Sequence, residues 1–519
     1  MRYDSPMQMY PLLHVSVMLI AGIILGDALC GVVAFWMWLC GFAGALVVAV
    51  ALYRWSKSPV CNALALSVAI AMCGAYLVSF RAQRLSFVFD GNWETCRAVV
   101  SSDGVPRKKT VRYELTVADG RMAGHRVYGY FAKPCDQLHI GEGMTVTAKF
   151  KGFDCNQSYA RWLQVHDIVA SAYVAQGRWR KDVFRLDGLS FAQRMQVYFG
   201  NYRQRLLSRY RHDMLSPEAF AVVSAMTLGD KTSLTSALRD TYSVSGASHV
   251  LALSGLHLGI IYFLLSFIFL RGRLSCLMQP VVIIAVWGYV AMAGMPLSMV
   301  RAAVMLTLFS LCSMSMRRHV SLNTLSFAAV VILYTNPHAL WDVGFQLSFL
   351  AVLGILVFNG RLRKVLPSVC ATSSRIVEWT WSMITVSLSA QIMVAPLIAY
   401  YFGRFSCFFL LSNFIAIPLS TLLVYTSVAM YLTPFWPWLN AVLAAVVGRE
   451  AELLNRALGM VASLPGASVD GIRVSLPQLV LVYVFIFLVY VLMGYVRKIY
   501  LCHYGFVDFR KLKTKKRKA

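Results

Sequence analysis

The sequence predicts a polytopic α-helical membrane protein with about 10 to 11 transmembrane helices and a small extracytoplasmic β-barrel of OB-like type. Hydrophobic residues make up 58% of the 519 residues and charged residues only 14%, which is far more apolar than a soluble globular protein. The apolar residues are concentrated in runs close to the roughly 20 residues that a spanning helix needs. One polar region interrupts these runs, and its alternating segments are typical of β-strands.

Eleven apolar runs account for the predicted helices. Three of them lie within residues 1–82 and form an N-terminal group, and eight lie within residues 246–498. The segment 439–464 carries four charged side chains, and the sequence does not decide whether it crosses the membrane. The runs are residues 12–29, 32–53, 62–80, 250–270, 281–293, 297–314, 326–334, 345–358, 376–401, 408–431 and 476–496.

The distribution of Lys and Arg predicts the orientation of the chain. Arg54 and Lys57 lie between the second and third runs, and basic loops favour the cytoplasm. We therefore expect both termini in the cytoplasm, including the basic tail 499–519, and the polar region outside. The formal net charge of +26 suits cytoplasmic loops and also a polyanionic partner.

Residues 86–185 predict the β-barrel. Segments such as VRYELTV (111–117) and MTVTAKF (144–150) alternate between polar and apolar residues, and turn residues separate them. Basic residues stand close to aromatic residues here, a composition that suits nucleic acid. The alternative is a solvated basic face over core aromatics. The candidate DNA contacts are Arg107, Lys108, Lys109, Arg112, Tyr113, Arg126 and Tyr128.

Three of the twelve cysteines, Cys96, Cys135 and Cys155, lie in this polar region. A disulfide between two of them is compatible with an extracytoplasmic location, but the sequence does not choose the pair. The chain has no CxxC pair and no Cys/His cluster with zinc spacing. We therefore expect no metal site and no cofactor.

Residues 189–245 predict two helices that lie on the outer face. QRMQVYFGNYRQRLLSRYRHDML (193–215) is amphipathic and basic. LSPEAFAVVSAMTLGD (215–230) follows, with Ser216 as its N-cap and Pro217 at its first helical position. Neither segment is apolar all round, so we expect neither to span the membrane.

The segment SGASHVLALSGLHLGIIY (245–262) places polar groups at membrane depth. Such groups are costly, and a sequence keeps them there for packing or for function. His249, Ser254, Gly255 and His257 are candidates for lining a path. The alternative is tight helix packing through the GxxxG step that Gly255 begins. A serine hydrolase is disfavoured because no third group is evident to orient the histidine.

Further polar residues follow in the later runs. Arg301 and Asp342 are expected on the same side of the membrane, either as an ion pair or as ligand contacts. Gln346 shares a helical face with Asp342. Gln391 and Asn413 each precede a proline by five residues, and we expect a broken or re-entrant helix near Asn413. The resulting polar seam is typical of a channel or transporter.

Six sequence blocks in order resemble one known family, the ComEC-type competence proteins. The resemblance covers about residues 215–435 and is most specific in SGASHVLALSGLHLGII. The blocks are MTLGDKTSL (226–234), SGASHVLALSGLHLGII (245–261), AGMPLSMVRAA (293–303), TNPHALWDVGFQLSFLAVLGI (335–355), APLIAYYFGRFS (395–406) and SNFIAIPLS (412–420).

The resemblance implies a channel that moves single-stranded DNA across the bacterial plasma (inner) membrane during natural transformation. Its partners would be single-stranded DNA and the bilayer, with a separate DNA receptor, nuclease and cytoplasmic motor as further candidates. Many members carry a metallo-β-lactamase-like domain with an HxHxDH motif, which this sequence lacks, so we expect no enzyme activity. Two alternatives stay open. One is a small-solute secondary transporter, and the other is a membrane assembly or anchor protein with a partner-binding β-domain.

Overall fold

A computed structural model describes residues 10–55, 58–153, 158–182, 190–211, 216–270, 275–314, 322–365 and 375–515. The chain opens with three helices, α1 (Pro11–Ala28), α2 (Phe35–Trp55) and α3 (Pro59–Leu85). Helices α1 and α3 cross closely, because a Cβ atom on Gly22 would meet the carbonyl oxygen of Ala71. Glycine at such a crossing lets two helix backbones touch.

The polar region forms a closed five-stranded barrel, as predicted. The strand order is β1-β3-β4-β6-β5, and β5 pairs with β1 to close the barrel. Only β4 and β6 run parallel; the other neighbours are antiparallel. The strands are β1 (Trp93–Val100), β2 (Val105–Pro106), β3 (Thr110–Val117), β4 (Arg126–Ala132), β5 (Gly143–Lys151), β6 (Ile168–Val174) and β7 (Trp179–Lys181), of which β2 and β7 are short edge additions.

Alternation along the strands builds the barrel core. In β5, the even-numbered residues from Met144 to Phe150 are buried and the odd-numbered ones are more exposed. Leu115 and Phe131 fill the same core. Burying one such side chain contributes about 1.5–3 kcal/mol. A short helix, α4 (Ser158–Val165), covers one flank of the barrel.

The remaining helices form the bundle and its connections. They include several shorter apolar helices as well as long ones. They are α5 (Phe191–Tyr210), α6 (Pro217–Val223), α7 (Ser236–Val244), α8 (Ser248–Leu251), α9 (Gly255–Phe269), α10 (Ser275–Met292), α11 (Leu297–Met314), α12 (Leu322–Thr335), α13 (Val343–Gly354), α14 (Arg375–Phe402), α15 (Phe409–Leu432), α16 (Pro437–Ala462) and α17 (Leu476–Lys515).

All eleven apolar runs of the sequence are mainly helical. Seven helices of the described ranges are long and apolar enough to cross a membrane: α1, α2, α3, α13 with its continuation to Leu362, α14, α15 and the segment Leu476–Val496 of α17. Four other runs correspond to the shorter apolar helices α9, α10, α11 and α12. The count of 10 to 11 spanning helices therefore stays a prediction.

Helix α6 differs from the expected surface helix. Ser216 does cap it, since the hydroxyl accepts a hydrogen bond from the backbone N–H of Ala219 (3.1 Å). However, every residue from Ala219 to Leu228 is buried, including a π-helical turn at Ser224–Leu228. The small side chains of this stretch let α6 pack directly against α16. Of the two predicted surface helices, α5 keeps an exposed face.

Two breaks in the helices differ from expectation. The run predicted from residue 250 is divided, because Ala252 is extended and α9 begins only at Gly255. In contrast, α15 continues through Pro418, so the break predicted near Asn413 is wrong. A proline is tolerated inside such a helix where neighbouring helices and side chains compensate for the backbone hydrogen bond that it removes.

The segment 439–464 forms most of α16, which packs along α15. Its buried face includes Ala444, Val447, Ala451 and Leu454, while Arg456 is exposed on the other side. The helix is not among those apolar enough to cross a membrane. Beyond its end, β9 (Ser468–Asp470) pairs with β8 (Arg404–Ser406), which tethers the start of α15.

The barrel is fixed to one end of the bundle. Arg81 at the end of α3 forms an ion pair with Asp167 (2.6 Å). The Asn336 amide donates to the carbonyl of Val165 (3.0 Å). A 3-10 turn at Pro337–Trp341 contacts α4. The barrel therefore adjoins the same end of the bundle as Asp342, the next residue along the chain.

Candidate functional site

Arg301 is the centre of the polar seam. Its side chain is buried, with 1% of the residue exposed. One Nη donates to the carbonyl of Gly344 (2.6 Å), and the other lies 3.8 Å from Asp342. Asp342 caps α13 by accepting a hydrogen bond from the backbone N–H of Phe345 (2.7 Å). The predicted ion pair between Arg301 and Asp342 is therefore present, and the same Asp342 carboxylate also caps α13.

The guanidinium of Arg301 keeps unused donors. Neither Nε nor Nη1 has a hydrogen-bond partner among the described residues, although both atoms are buried. A buried donor without an acceptor costs about 1–3 kcal/mol or more when charged. The guanidinium also lies over the ring of Phe345 (5.7 Å). The arrangement holds a cation at the end of the bundle nearest the barrel and leaves part of its bonding capacity free.

Gln346 extends this cluster to α14. Its amide nitrogen donates to the carbonyl of Leu340 (2.9 Å), and its oxygen accepts from the hydroxyl of Tyr401 (3.0 Å). The structure thus brings three predicted residues together, Arg301, Asp342 and Gln346. Tyr401 was not among the residues predicted from the sequence, although its position in the APLIAYYFGRFS block was an available signal.

Ser254 and His257 form a local cap at the start of α9. The backbone N–H and the hydroxyl of Ser254 lie 3.3 Å and 3.1 Å from Nδ1 of His257. An N–H that donates to Nδ1 leaves the proton of a neutral imidazole on Nε2. His257 is 0% exposed, and its Nε2 has no partner among the described residues. The ring therefore presents a spare buried donor.

The other residues of this segment have different surroundings. His249 is exposed and lies in α8, whereas His257 lies in α9, beyond the break at Ala252. Gly255 lies against α11, because a Cβ atom there would be 3.1 Å from that of Ala302. At Gly259, no atom of the described part of the chain lies within 4 Å of such a Cβ position. Only the first glycine of the GxxxG step is therefore needed for close helix packing.

Gln391 and Asn413 form a second polar position along α14. The Asn413 amide donates to the hydroxyl of Ser387 (3.2 Å), and its oxygen is buried without a partner among the described residues. Ser387 and Gln391 are four residues apart and share a helical face. Gln391 precedes Tyr401 by ten residues, or ~15 Å along a helix. The two polar positions therefore lie at different depths.

The basic candidates of the barrel are at its surface. Arg107, Lys108 and Lys109 are exposed in the turn between β2 and β3. Arg112 is half-buried, with its guanidinium 4.5 Å from the ring centre of Tyr128. Arg126 donates to the amide oxygen of Gln196 on α5 (2.8 Å). Arg126 thus joins the barrel to α5, while the other four basic residues lie away from this joint.

The two aromatic candidates of the barrel are buried. Tyr113 packs in the core beside Phe131, and its hydroxyl accepts a hydrogen bond from the backbone N–H of Leu138 (3.3 Å). Tyr128 lies under α4, against Leu163. Alternation directs Tyr113 inward, and α4 covers Tyr128 from outside. Neither ring is accessible for stacking on a base in this arrangement.

Two of the three barrel cysteines lie in the described ranges, and both carry free thiols. Cys96 is buried in β1 and Cys135 is half-buried, and neither forms a disulfide. Burial raises the pKa of Cys96 to about 12, with further contributions from Asp119 and Glu94. Cys155 lies outside the described residues, as does any pair that includes it. Within the described ranges, no group of three His, Cys, Asp or Glu side chains could hold a metal ion.

The comparison with protein families agrees with the sequence segments that resemble the competence proteins. The model of the Competence protein family matches residues 226–496, just over half of the chain. The chain belongs to this family. The match begins in the buried π turn after α6 and includes Arg301, His257 and the polar positions along α14. No solved structure matches the chain.

Two known proteins are similar to parts of this chain. ComE operon protein 3 of Bacillus subtilis is 26% identical over 244 residues, which cover 47% of this chain and 30% of that protein. An uncharacterized protein of Aquifex aeolicus is 30% identical over 160 residues, covering 30% of this chain and 38% of that protein. The chain thus aligns with about a third of the length of each relative. Membership of this family and the seven long apolar helices of the described ranges fit a membrane protein.

Proposed function

We propose that the chain is a channel that moves single-stranded DNA across the bacterial plasma membrane during natural transformation. Membership of the Competence family supports the uptake role. In this proposal the barrel, an OB-like domain, faces the exterior, and both termini are cytoplasmic. The basic loop at Arg54 and the positive C-terminal tail support that orientation.

The observation that carries the proposal is the buried, partly unsatisfied Arg301 at the barrel end of the bundle. A DNA strand brings a phosphate with every nucleotide. A planar guanidinium with free donors suits phosphate, and its hydrogen bonds to an anion are about twice as strong as neutral ones. Asp342 offsets the charge of Arg301, so a phosphate would be held transiently and then released.

The deeper polar groups would continue the path. His257 offers its Nε2 proton, Gln391 lies further along α14, and Asn413 on α15 contacts α14 through Ser387. Such neutral groups let a strand pass without strong binding at each step. In this proposal the chain translocates the strand and does not cut it. A separate DNA receptor, nuclease or cytoplasmic motor would supply the other activities.

The test is entry of labelled DNA into the cytoplasm of deletion cells that carry the wild type or a variant. We expect deletion to stop entry while DNA still binds at the cell surface. We expect His257→Ala and Arg301→Gln to lower entry at normal protein level. His14→Ala is the matched control, because His14 also lies in an apolar helix, bonded to Ser67 (3.0 Å), but away from the seam.

The outcomes separate the hypotheses. If deletion leaves DNA entry intact, the chain is not the uptake channel. If deletion stops entry but both seam variants support it normally, the channel does not use this seam. Nuclease activity of the purified chain on single-stranded DNA would contradict the proposal that it does not cut the strand.

A further inference from the structure

A row of aromatic and basic side chains crosses all five barrel strands. Trp93 on β1 is paired with Lys149 on β5, which is paired with Tyr173 on β6. Tyr173 is in turn paired with Tyr130 on β4, and Tyr130 with Arg112 on β3. Paired residues of neighbouring strands point to the same face of a sheet. We name these five residues the barrel row.

The barrel row is on the outer surface. Trp93 is 51% exposed and Tyr173 is 60% exposed, while Lys149 is exposed and the other two are half-buried. Large aromatic residues at this level of exposure on a strand contribute little to a core. With strands about 4.8 Å apart, the row follows the curved outer surface of the closed barrel for roughly 19 Å. It is therefore a surface long enough for several nucleotides.

The charge of the row is positive and not neutralised locally. The Arg178 guanidinium lies 4.3 Å from the ring centre of Trp93, and the Lys149 ammonium 5.4 Å from it. Lys151 is exposed two residues beyond Lys149, on the same face. No ion pair within the described residues involves any of these three cations. The row itself contains no carboxylate.

A groove runs beside the row. It has a volume of about 760 Å³ and includes Phe87, Phe89, Tyr130, Lys149, Lys151 and Tyr173 in its lining. Gly91 and Gly152 also line it, and residues without side chains let a ligand approach the backbone. The segment with Phe87 and Phe89 leads from α3 into the barrel. The groove therefore begins at the connection between the barrel and the bundle.

We infer that the barrel row and its groove bind single-stranded DNA, with bases stacked on Trp93 and Tyr173 and phosphates held by Lys149, Lys151 and Arg178. Proteins that bind single strands combine exposed aromatic rings with a cationic groove in this way. A duplex hides its base faces and would use only the cations. This inference rests on the proposed function and adds to it a docking site ahead of the seam.

The experiment measures binding of a fluorescein-labelled oligo-dT of about 16 nucleotides to the purified full chain by anisotropy. We expect Trp93→Ala and Tyr173→Ala each to weaken binding by about fivefold or more. They should leave the salt dependence unchanged. Lys149→Gln with Lys151→Gln should reduce the slope of log affinity against log salt by about 0.7 for each phosphate that the variant no longer binds.

Two controls make the result specific. Tyr198→Ala removes an equally exposed tyrosine (67%) on α5, away from the row, and should not change affinity. Lys108→Gln with Lys109→Gln tests the basic turn at the β2–β3 end. A larger loss of affinity in the turn variant than in the row variants would overturn the inference, and so would equal binding of single strand and duplex.

The binding measurement does not depend on transport. If the wild type binds oligo-dT and the row variants do not, the site stands even where cell uptake fails for other reasons. If the row variants bind normally while deletion still stops DNA entry in cells, the docking site is wrong and the proposed channel function survives. Normal oligo-dT binding by the row variants is also the result expected if the row binds a protein receptor instead of DNA.

Discussion

The barrel row and the Arg301 cluster are both polar and basic, but they differ in burial and compensation. The row lies on the exposed face of the barrel sheet, and no carboxylate of the described residues forms an ion pair with its cations. Arg301 is almost fully buried, and Asp342 and the Gly344 carbonyl hold it in place. Side chains of the row contribute to a surface without supporting the fold, whereas Arg301 is part of the bundle structure. The two sites should therefore respond differently to substitution.

The largest expected effect is at Arg301. Arg301→Met removes one partner of a buried ion pair and should cost about 3–5 kcal/mol of unfolding free energy. The double variant Arg301→Met with Asp342→Asn removes both charges, and asparagine still caps α13. We expect the double variant to recover most of the stability in thermal unfolding but not DNA uptake.

Recovery of uptake together with stability would mean that Arg301 serves only the structure. A single variant as stable as the wild type would contradict the coupling between Arg301 and Asp342. Only the second result would remove the contrast between a buried cation that supports the fold and surface cations that do not.

The sequence predicted the helices and strands better than it predicted their contacts. Hydrophobic runs and alternation are local, so the apolar helices and the barrel strands could be anticipated. The barrel row depends on register between β1, β5 and β6, which are far apart in the chain, and no local pattern contains that information. The burial of α6 and the break at Ala252 likewise depend on which helices pack beside them.

The same limit explains which site residues could be predicted from the sequence and which could not. Arg301, Asp342 and Gln346 were identifiable because charged and amide side chains are rare in apolar runs. Tyr401 was not, because tyrosine is common at the ends of such helices. In the barrel, Tyr113 and Tyr128 were candidates because they stand close to basic residues, yet the core and α4 cover them. The accessible rings of the barrel row belong to other residues on the same and neighbouring strands.

A glycine inside the bundle provides the next test. A Cβ atom on Gly354 would meet the carbonyl oxygen of Ser389, so α13 and α14 would have to move apart. We expect Gly354→Ala to cost about 1–3 kcal/mol through overpacking, measured by thermal unfolding. Gly360→Ala is the control, because no atom of the described residues lies within 4 Å of its Cβ position. Equal stability of the two variants would show that the helices can separate without cost.

Low pH should weaken the junction between the barrel and the helical bundle, where His338 lies. Burial, helped by Arg81 and Arg161, lowers the pKa of His338 to about 4. The folded state therefore disfavours the protonated ring, and the stability that the neutral ring supports is lost as the pH falls from about 6.5 towards 4. At pH 5 the loss of unfolding free energy should be about 2 kcal/mol.

The measurement is thermal unfolding of the wild type and of His338→Asn between pH 7 and pH 5. Asparagine does not titrate, so the variant should lose about 2 kcal/mol less than the wild type over this range. Parallel pH profiles would mean that the ring is hydrated enough to accept a proton in the folded protein.

The smallest expected effect on stability is in the barrel row itself. Tyr173→Ala removes a side chain that is 60% exposed and should change the unfolding free energy by only ~0.5 kcal/mol, within the range of cross-strand pairs. The same substitution should lower affinity for oligo-dT by about fivefold or more. Weaker binding at unchanged stability is the behaviour of a surface that contacts a ligand. If Tyr173→Ala instead destabilises the barrel by more than ~1 kcal/mol, the row contributes to the fold, and its contrast with the Arg301 cluster is not supported.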